Sequence, residues 1–221
     1  AGRAGGNLVV LRHDDGWVTV YWHMRRGSIA VREGQRVSVG QQLGLVGLSG
    51  DTNFPHLHFE VRHERQDGPD QVIDPFSGTD AASACGDKGR PLWSAAAMDR
   101  LVYRDVEVNA GFAAADPKRN DAVYGRLGAP PQAGSSRLFF WFELFGVEND
   151  DVVSVQFVLP DGSLRKPAQM KVAVPVSYLY RSAGLEIGAP LPAGRYGAIL
   201  SLQRHGQPMP TLQRRFDFDL K

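Results

Sequence analysis

One cysteine, Cys85, is all that the 221-residue sequence carries, so no disulfide closes within the chain and cysteine usage does not reveal the compartment. Charge of one sign is equally lacking: 25 Lys and Arg stand against 24 Asp and Glu, a net +1. That balance, with no basic motif or aromatic–basic platform, gives no case for nucleic-acid binding. No apolar run approaches the length of a membrane-spanning helix. There is no P-loop, no G-x-S-x-G elbow and no H-E-x-x-H helix, which removes nucleotide, α/β-hydrolase and helical zincin chemistries. Lysine is absent before Lys88, which argues against a biotinyl- or lipoyl-type carrier despite the half-repeat in VREGQRVSVGQQLGLVG. Cys85 sits in a Gly/Ala/Ser-rich stretch without a neighbouring base, a poor setting for a nucleophile.

What remains is β-rich. NLVVLRHDDGWVTVYWHM reads as a hairpin turning at Asp14-Asp15-Gly16. Alternation places Trp17, Thr19, Tyr21 and His23 on one face of its second strand, and Val18, Val20, Trp22 and Met24 on the other, core-facing side. Residues 27–50 carry glycines dense enough to predict tight turns between short strands. FPHLHFEVR follows as a strand, and Pro75 in VIDPFSG takes the chain out of the sheet. Residues 81–105 read as a linker with a short helix near PLWSAAAMDRL. RLFFWFELFGV, DVVSVQFVLPDGSL, KVAVPVSYLY, GRYGAILSLQRHG and RRFDFDLK then have the spacing of an antiparallel sandwich, expected over 106–221 as an immunoglobulin-like β-sandwich. The expected fold class is all-β.

Chemistry concentrates in the H-x-H of FPHLHFEVR. On a regular strand His56, His58 and Glu60 share one face, and Leu57, Phe59 and Val61 anchor the other in the core. A histidine on a strand is commonly just hydrogen-bonded or solvated. Two on one strand face, with His23 on the non-aliphatic face of another strand, suit metal binding or acid–base work. His13, His63 and His205 receive no role.

The ordered series GNLVVLRHDDGWVTVYWHM, GQRVSVGQQLGLVGLSG, FPHLHFEVR and DPF resembles the lysostaphin-like (LytM-type) zinc metallopeptidases over residues 1–80, in a subgroup with an extra C-terminal β domain. The resemblance implies an antiparallel peptidase sheet, Zn2+ as cofactor, His58 as a metal ligand, and His23 and His56 as catalytic histidines beside the metal. It also implies hydrolysis of peptide cross-links in bacterial peptidoglycan, hence a periplasmic or secreted location. The family's H-x-x-x-D strand, source of two further ligands, has no counterpart, since AGRAGG holds neither His nor Asp. The expectation is therefore an incomplete domain, truncated at its N-terminus and inactive alone. The rival is a catalytically inactive LytM-type module that binds or regulates cell-wall hydrolases.

Overall fold

A computed structural model describes residues 3–80, 82–84, 86–87, 89–101, 106–186 and 190–221. Cys85 and Lys88 lie outside the described residues. The chain divides into two compact units, residues 1–102 and 103–221. Both are built on antiparallel sheets, and the fold is all-β.

The first unit holds one four-stranded sheet, ordered β1 (Asn7–Arg12), β2 (Trp17–Met24), β3 (His58–His63) and β4 (Gln71–Ile73). The β1–β2 turn falls on the expected residues, with Asp15 and Gly16 both left-handed at φ 57° and 77°. Its core includes Val9, Val18, Val20, Met24 and Val61. The Trp93 indole stacks on Phe59 and meets the edge of Phe76, while Leu92 N–H donates to Pro75 O, so residues 92–93 pack with this sheet. Helix α1 (Ala95–Met98) follows, its first turn capped by Ser94 Oγ.

Two expectations need correction here. Residues 25–55 form no named strand among the described residues. The short strands reduce to isolated bridges, Met24 with Val46 and Gly47 with His56. Left-handed glycines at 27, 34, 40 and 50 keep turning the chain before a ladder can lengthen. FPHLHFEVR becomes regular only from His58, because Pro55 has no N–H to give a ladder.

The second unit packs two sheets. Strands β5 (Glu107–Ala113), β6 (Arg137–Val147) and β9 (Val176–Glu186) form one, with β6 central. Strands β11 (Leu212–Leu220), β10 (Gly194–Gln203), β7 (Val152–Val158) and β8 (Ala168–Lys171) form the other. Labelled A to G in chain order, these are A-B-E against G-F-C with the fourth strand beside C, an immunoglobulin-like arrangement. Alternate residues Leu138, Phe140, Phe142 and Leu144 of β6 face Val153, Val155, Tyr196, Leu200 and Leu202 in a single core. On the other face of β6, Trp141 is buried with Ala113 and Tyr180, against Ala122 and Leu127 of the segment carrying α2 (Arg119–Val123). The long aromatic run is thus covered on both faces. Arg181, exposed on the terminal strand β9, donates from Nη1 to Tyr180 O. KVAVPVSYLY, read as one strand, is split between β8 and β9 around Pro175.

Candidate functional site

The site begins with an irregularity in β2. Val9 pairs with Tyr21, but Asn7 pairs with Met24, so β2 has one more residue than β1 opposite it. This is a β-bulge, and His23 occupies it at φ 61°, a left-handed conformation that non-glycine residues adopt at a cost of about 1–3 kcal/mol. The interrupted ladder is closed by Ser49. Its hydroxyl accepts from Asn7 N–H at 2.9 Å and donates to Met24 O at 2.7 Å. The Ser49 carbonyl accepts from His23 Nδ1 at 2.8 Å. His23 is 6% exposed.

The bulge corrects the strand-face reading. Cross-strand partners share a face, and the register pairs Trp22 with His58, Val20 with Glu60 and Val18 with Arg62. His58 and Glu60 therefore lie on the same face as the buried Val18 and Val20, not opposite them. Leu57, expected as a core anchor, is 43% exposed. In a regular strand His23 would follow Tyr21 to the far face. The bulge instead turns it toward His58, with ring centroids 5.9 Å apart.

His56 lies before the strand proper, held by the bridge to Gly47. Its Nδ1 is 3.0 Å from Phe54 O and 3.2 Å from Thr52 Oγ1, and the Phe54 ring packs on it with centroids 4.7 Å apart. The His23 and His56 centroids are 4.8 Å apart. His58 stacks on Trp22, and its side chain is 48% exposed. Glu60 Oε2 is 3.6 Å from His58 Nε2, beyond hydrogen-bond range, while Glu60 Oε1 is bonded by Arg62 Nε. The structure thus brings His23, His56 and His58 together. His13 and His63 are engaged elsewhere, with Thr19 Oγ1 and Asp15 O.

The contacts fix two tautomers. A carbonyl oxygen only accepts, so Ser49 O and Phe54 O each require a proton on the Nδ1 they face. When the imidazoles are neutral, Nε2 of both His23 and His56 is the lone-pair nitrogen, the form that accepts a proton. Sequence reasoning passed over Trp22 as a partner of His58, and Ser49 and Thr52 altogether. The signal was the polar SGDTNF just before the H-x-H, whose Ser and Thr are the residue types that bond to nearby backbone in bends.

A catalytic zinc takes three protein ligands and one open position. Among the described residues no group of three His, Cys, Asp or Glu side chains is placed to hold a metal ion. The donor set does not fit a complete zinc site, and His58 is one ligand at most by resemblance. His58, but neither His23 nor His56, lines an open cleft of about 650 Å³ together with Glu60, Asp74 and Asp80. Hydrogen bonds from Phe76 N–H to Asp74, and from the Ser83 hydroxyl and Gln71 to Asp80, hold both carboxyls below the usual range. No helix among the described residues is long and apolar enough to cross a membrane.

Residues 1–74 match Peptidase family M23. The chain is similar to Cell division protein DipM of Caulobacter vibrioides, 50% identical over 58 residues, which is 26% of this chain and 9% of that protein. It is similar to Peptidoglycan DD-endopeptidase ShyA of Vibrio cholerae, 45% identical over 56 residues, 25% of this chain and 13% of the relative. It is also similar to Murein hydrolase activator NlpD of Escherichia coli, 37% identical over 62 residues, 28% of this chain and 16% of the relative. The matched segments thus cover between 9% and 16% of the length of these three relatives.

Proposed function

We propose that the first unit, with an M23 match over residues 1–74, is part of a zinc endopeptidase that hydrolyses peptide cross-links of bacterial peptidoglycan. The observation that carries this reading is the approach of His23 to both His56 and His58, ring centroids 4.8 Å and 5.9 Å away, with Nδ1 of His23 and of His56 bonded to carbonyl oxygens. His23 and His56 are the catalytic imidazoles. Each offers Nε2 to take a proton from the attacking water and, once protonated, to donate toward the oxygen of the tetrahedral intermediate. Positioned general acid–base groups contribute about a hundredfold or more in rate. His58 is the metal ligand, and donors outside the described residues would have to complete the set. The 221-residue chain alone is accordingly inactive. The substrate places the protein in the cell envelope, periplasmic or secreted. We also assign the connection between the catalytic domain (1–80) and the sandwich (106–221) to residues 81–105, a stretch in which Leu92 and Trp93 pack back onto the first sheet.

A second reading has its own support. One relative is named a murein hydrolase activator, and the described residues lack a three-ligand group. In that reading the module binds or regulates a hydrolase and cuts nothing. One experiment separates the two. The protein as its gene encodes it, supplied with zinc, is incubated with purified sacculi, with and without a murein hydrolase, and the muropeptides are resolved. Conversion of cross-linked dimers to monomers by the protein itself is expected. Intact dimers together with faster release by the added hydrolase would replace the endopeptidase with the activator.

A further inference from the structure

His23 and His56 receive the same treatment from different sources. His23 is held by the main-chain carbonyl of Ser49, at a bulge whose ladder the Ser49 hydroxyl closes. His56 sits outside any regular strand, after a bend of residues 50–54, so no ladder sets the orientation of its ring. A side chain makes up the difference. Thr52 Oγ1 donates to Phe54 O at 3.1 Å and lies 3.2 Å from His56 Nδ1, which is itself 3.0 Å from the same Phe54 O. The three atoms form a closed triangle, and only one proton arrangement satisfies it. The hydroxyl hydrogen goes to Phe54 O, the Nδ1 hydrogen points between the two oxygens, and the threonine lone pair receives part of it. The reverse, with the hydroxyl donating to a bare Nδ1, sets the Phe54 carbonyl lone pair against the ring nitrogen's.

We infer that Thr52 is a positioning residue: its hydroxyl locks His56 as the Nδ1–H tautomer and so keeps Nε2 as the proton-accepting nitrogen. The use made of that nitrogen rests on the endopeptidase reading, whereas the tautomer does not. Removing the hydroxyl takes one of two acceptors from Nδ1 and unties Phe54 O from the bend. Once Phe54 O is no longer tied by the hydroxyl it can swing away from Nδ1, and the ring is then free to turn or to shift its proton to Nε2. Partners that orient a catalytic or ligating imidazole in this way are worth about ten- to a hundredfold in activity.

The test is a spectrum of the 221-residue chain itself, uniformly labelled with 15N, recorded by long-range 1H–15N correlation above the imidazole titration range, at about pH 8.5. In the wild type, His56 is expected to show a pyrrole-like Nδ1 and a pyridine-like Nε2, as is His23. Thr52→Val is expected to move both His56 nitrogens toward the average of the two tautomers while the His23 pattern stays, and Thr52→Ser to restore the wild-type His56 pattern. A wild-type His56 carrying its proton on Nε2 overturns the inference without any variant. So does an unchanged His56 in Thr52→Val. Simultaneous loss of both histidine patterns would make Thr52 an ordinary stabiliser of the bend, and also overturns it. In the protein as encoded, Thr52→Val is expected to lower kcat for cross-link cleavage roughly tenfold or more with KM held, and Thr52→Ser to recover it. If the wild type cleaves nothing, the endopeptidase reading fails while the tautomer result still decides the inference.

Discussion

The Trp22 indole lies nearly parallel to the His58 imidazole, ring centroids 5.5 Å apart and planes inclined by 18°. Arg62 reaches the same indole, its guanidinium carbon 5.9 Å from the ring centroid. Gly5 also lies against the indole, since a Cβ there would fall 1.8 Å from Trp22 Cε3. A tryptophan whose alternation suggested an ordinary core residue is therefore the wall that His58 rests on.

Replacing that wall should be felt twice. Trp22→Ala is expected to destabilise the first unit by about 3 kcal/mol, as large aromatic truncations do, and to release the His58 ring. Trp22→Phe keeps a stacking face and should cost roughly 1 kcal/mol. Urea unfolding gives the stabilities, and the His58 ring-proton shifts report the stack. Equal His58 shifts in wild type and Trp22→Ala would show that the stack does not hold the ring.

The bulge makes an unusual forecast for His23. At φ 61° glycine is comfortable and β-branched residues are not. His23→Gly should therefore fold with stability within about 1 kcal/mol of wild type, whereas His23→Val should lose about 1–3 kcal/mol. Thermal melts of the pair decide it. A valine variant as stable as the glycine one would mean that the left-handed bulge is not imposed on the sequence.

Zinc should separate the two histidines of the H-x-H. The 221-residue chain is expected to hold well under one zinc per molecule by elemental analysis, because partial ligand sets lose affinity steeply. His58→Ala should remove the weak residual binding measured by competition with a chelating dye, and His56→Ala should leave most of it. Stoichiometric zinc, or equal losses in the two variants, would reassign the ligands.

Alkali should act on the second unit. Burial pushes the Tyr180 phenol up to about 12, with the Asp116, Asp121 and Glu143 charges adding to it. Burial, then the hydrogen bond to Glu143, raises Tyr178 further. Both folded values lie above the unfolded value of about 10, so the stability they contribute is complete below that pH and is lost as pH climbs through about 12. Tyrosinate absorbance should show a late-ionising fraction that shrinks in Tyr180→Phe. A titration in which every tyrosine of the folded chain ionises near 10 would contradict this.

Much of the sandwich was legible because its strands carry their own signal. RLFFWFELFGV coincides with β6 from Arg137 to Val147, since β-branched and aromatic residues fill both faces of a covered central strand. β5 was missed, as Asn109, Ala110 and Gly111 lack that signal and are held in place by pairing with β6. In the first unit the three imidazoles were legible and their route together was not. Period-two alternation has no means of announcing an inserted residue, and the bulge at His23 is specified by the distant Ser49 rather than by anything local. Thr52 was legible only as a polar residue of the SGDTNF bend, not as a partner of His56. Its importance is a triangle of distances, not a pattern of spacing.

Arg181 sits on a strand eleven residues long at one rim of a sheet, the kind of border onto which another molecule's strand can zip. Its guanidinium, folded onto the adjacent Tyr180 carbonyl, puts a fixed cation there. Two copies meeting along β9 would bring like charges together before their backbones could pair. The border strand of the facing sheet, β11, carries Arg214 and Arg215 followed by Asp217 and Asp219, and β8 next to β7 is only four residues long. The sandwich is thereby guarded at its borders against growing strand by strand into a fibre.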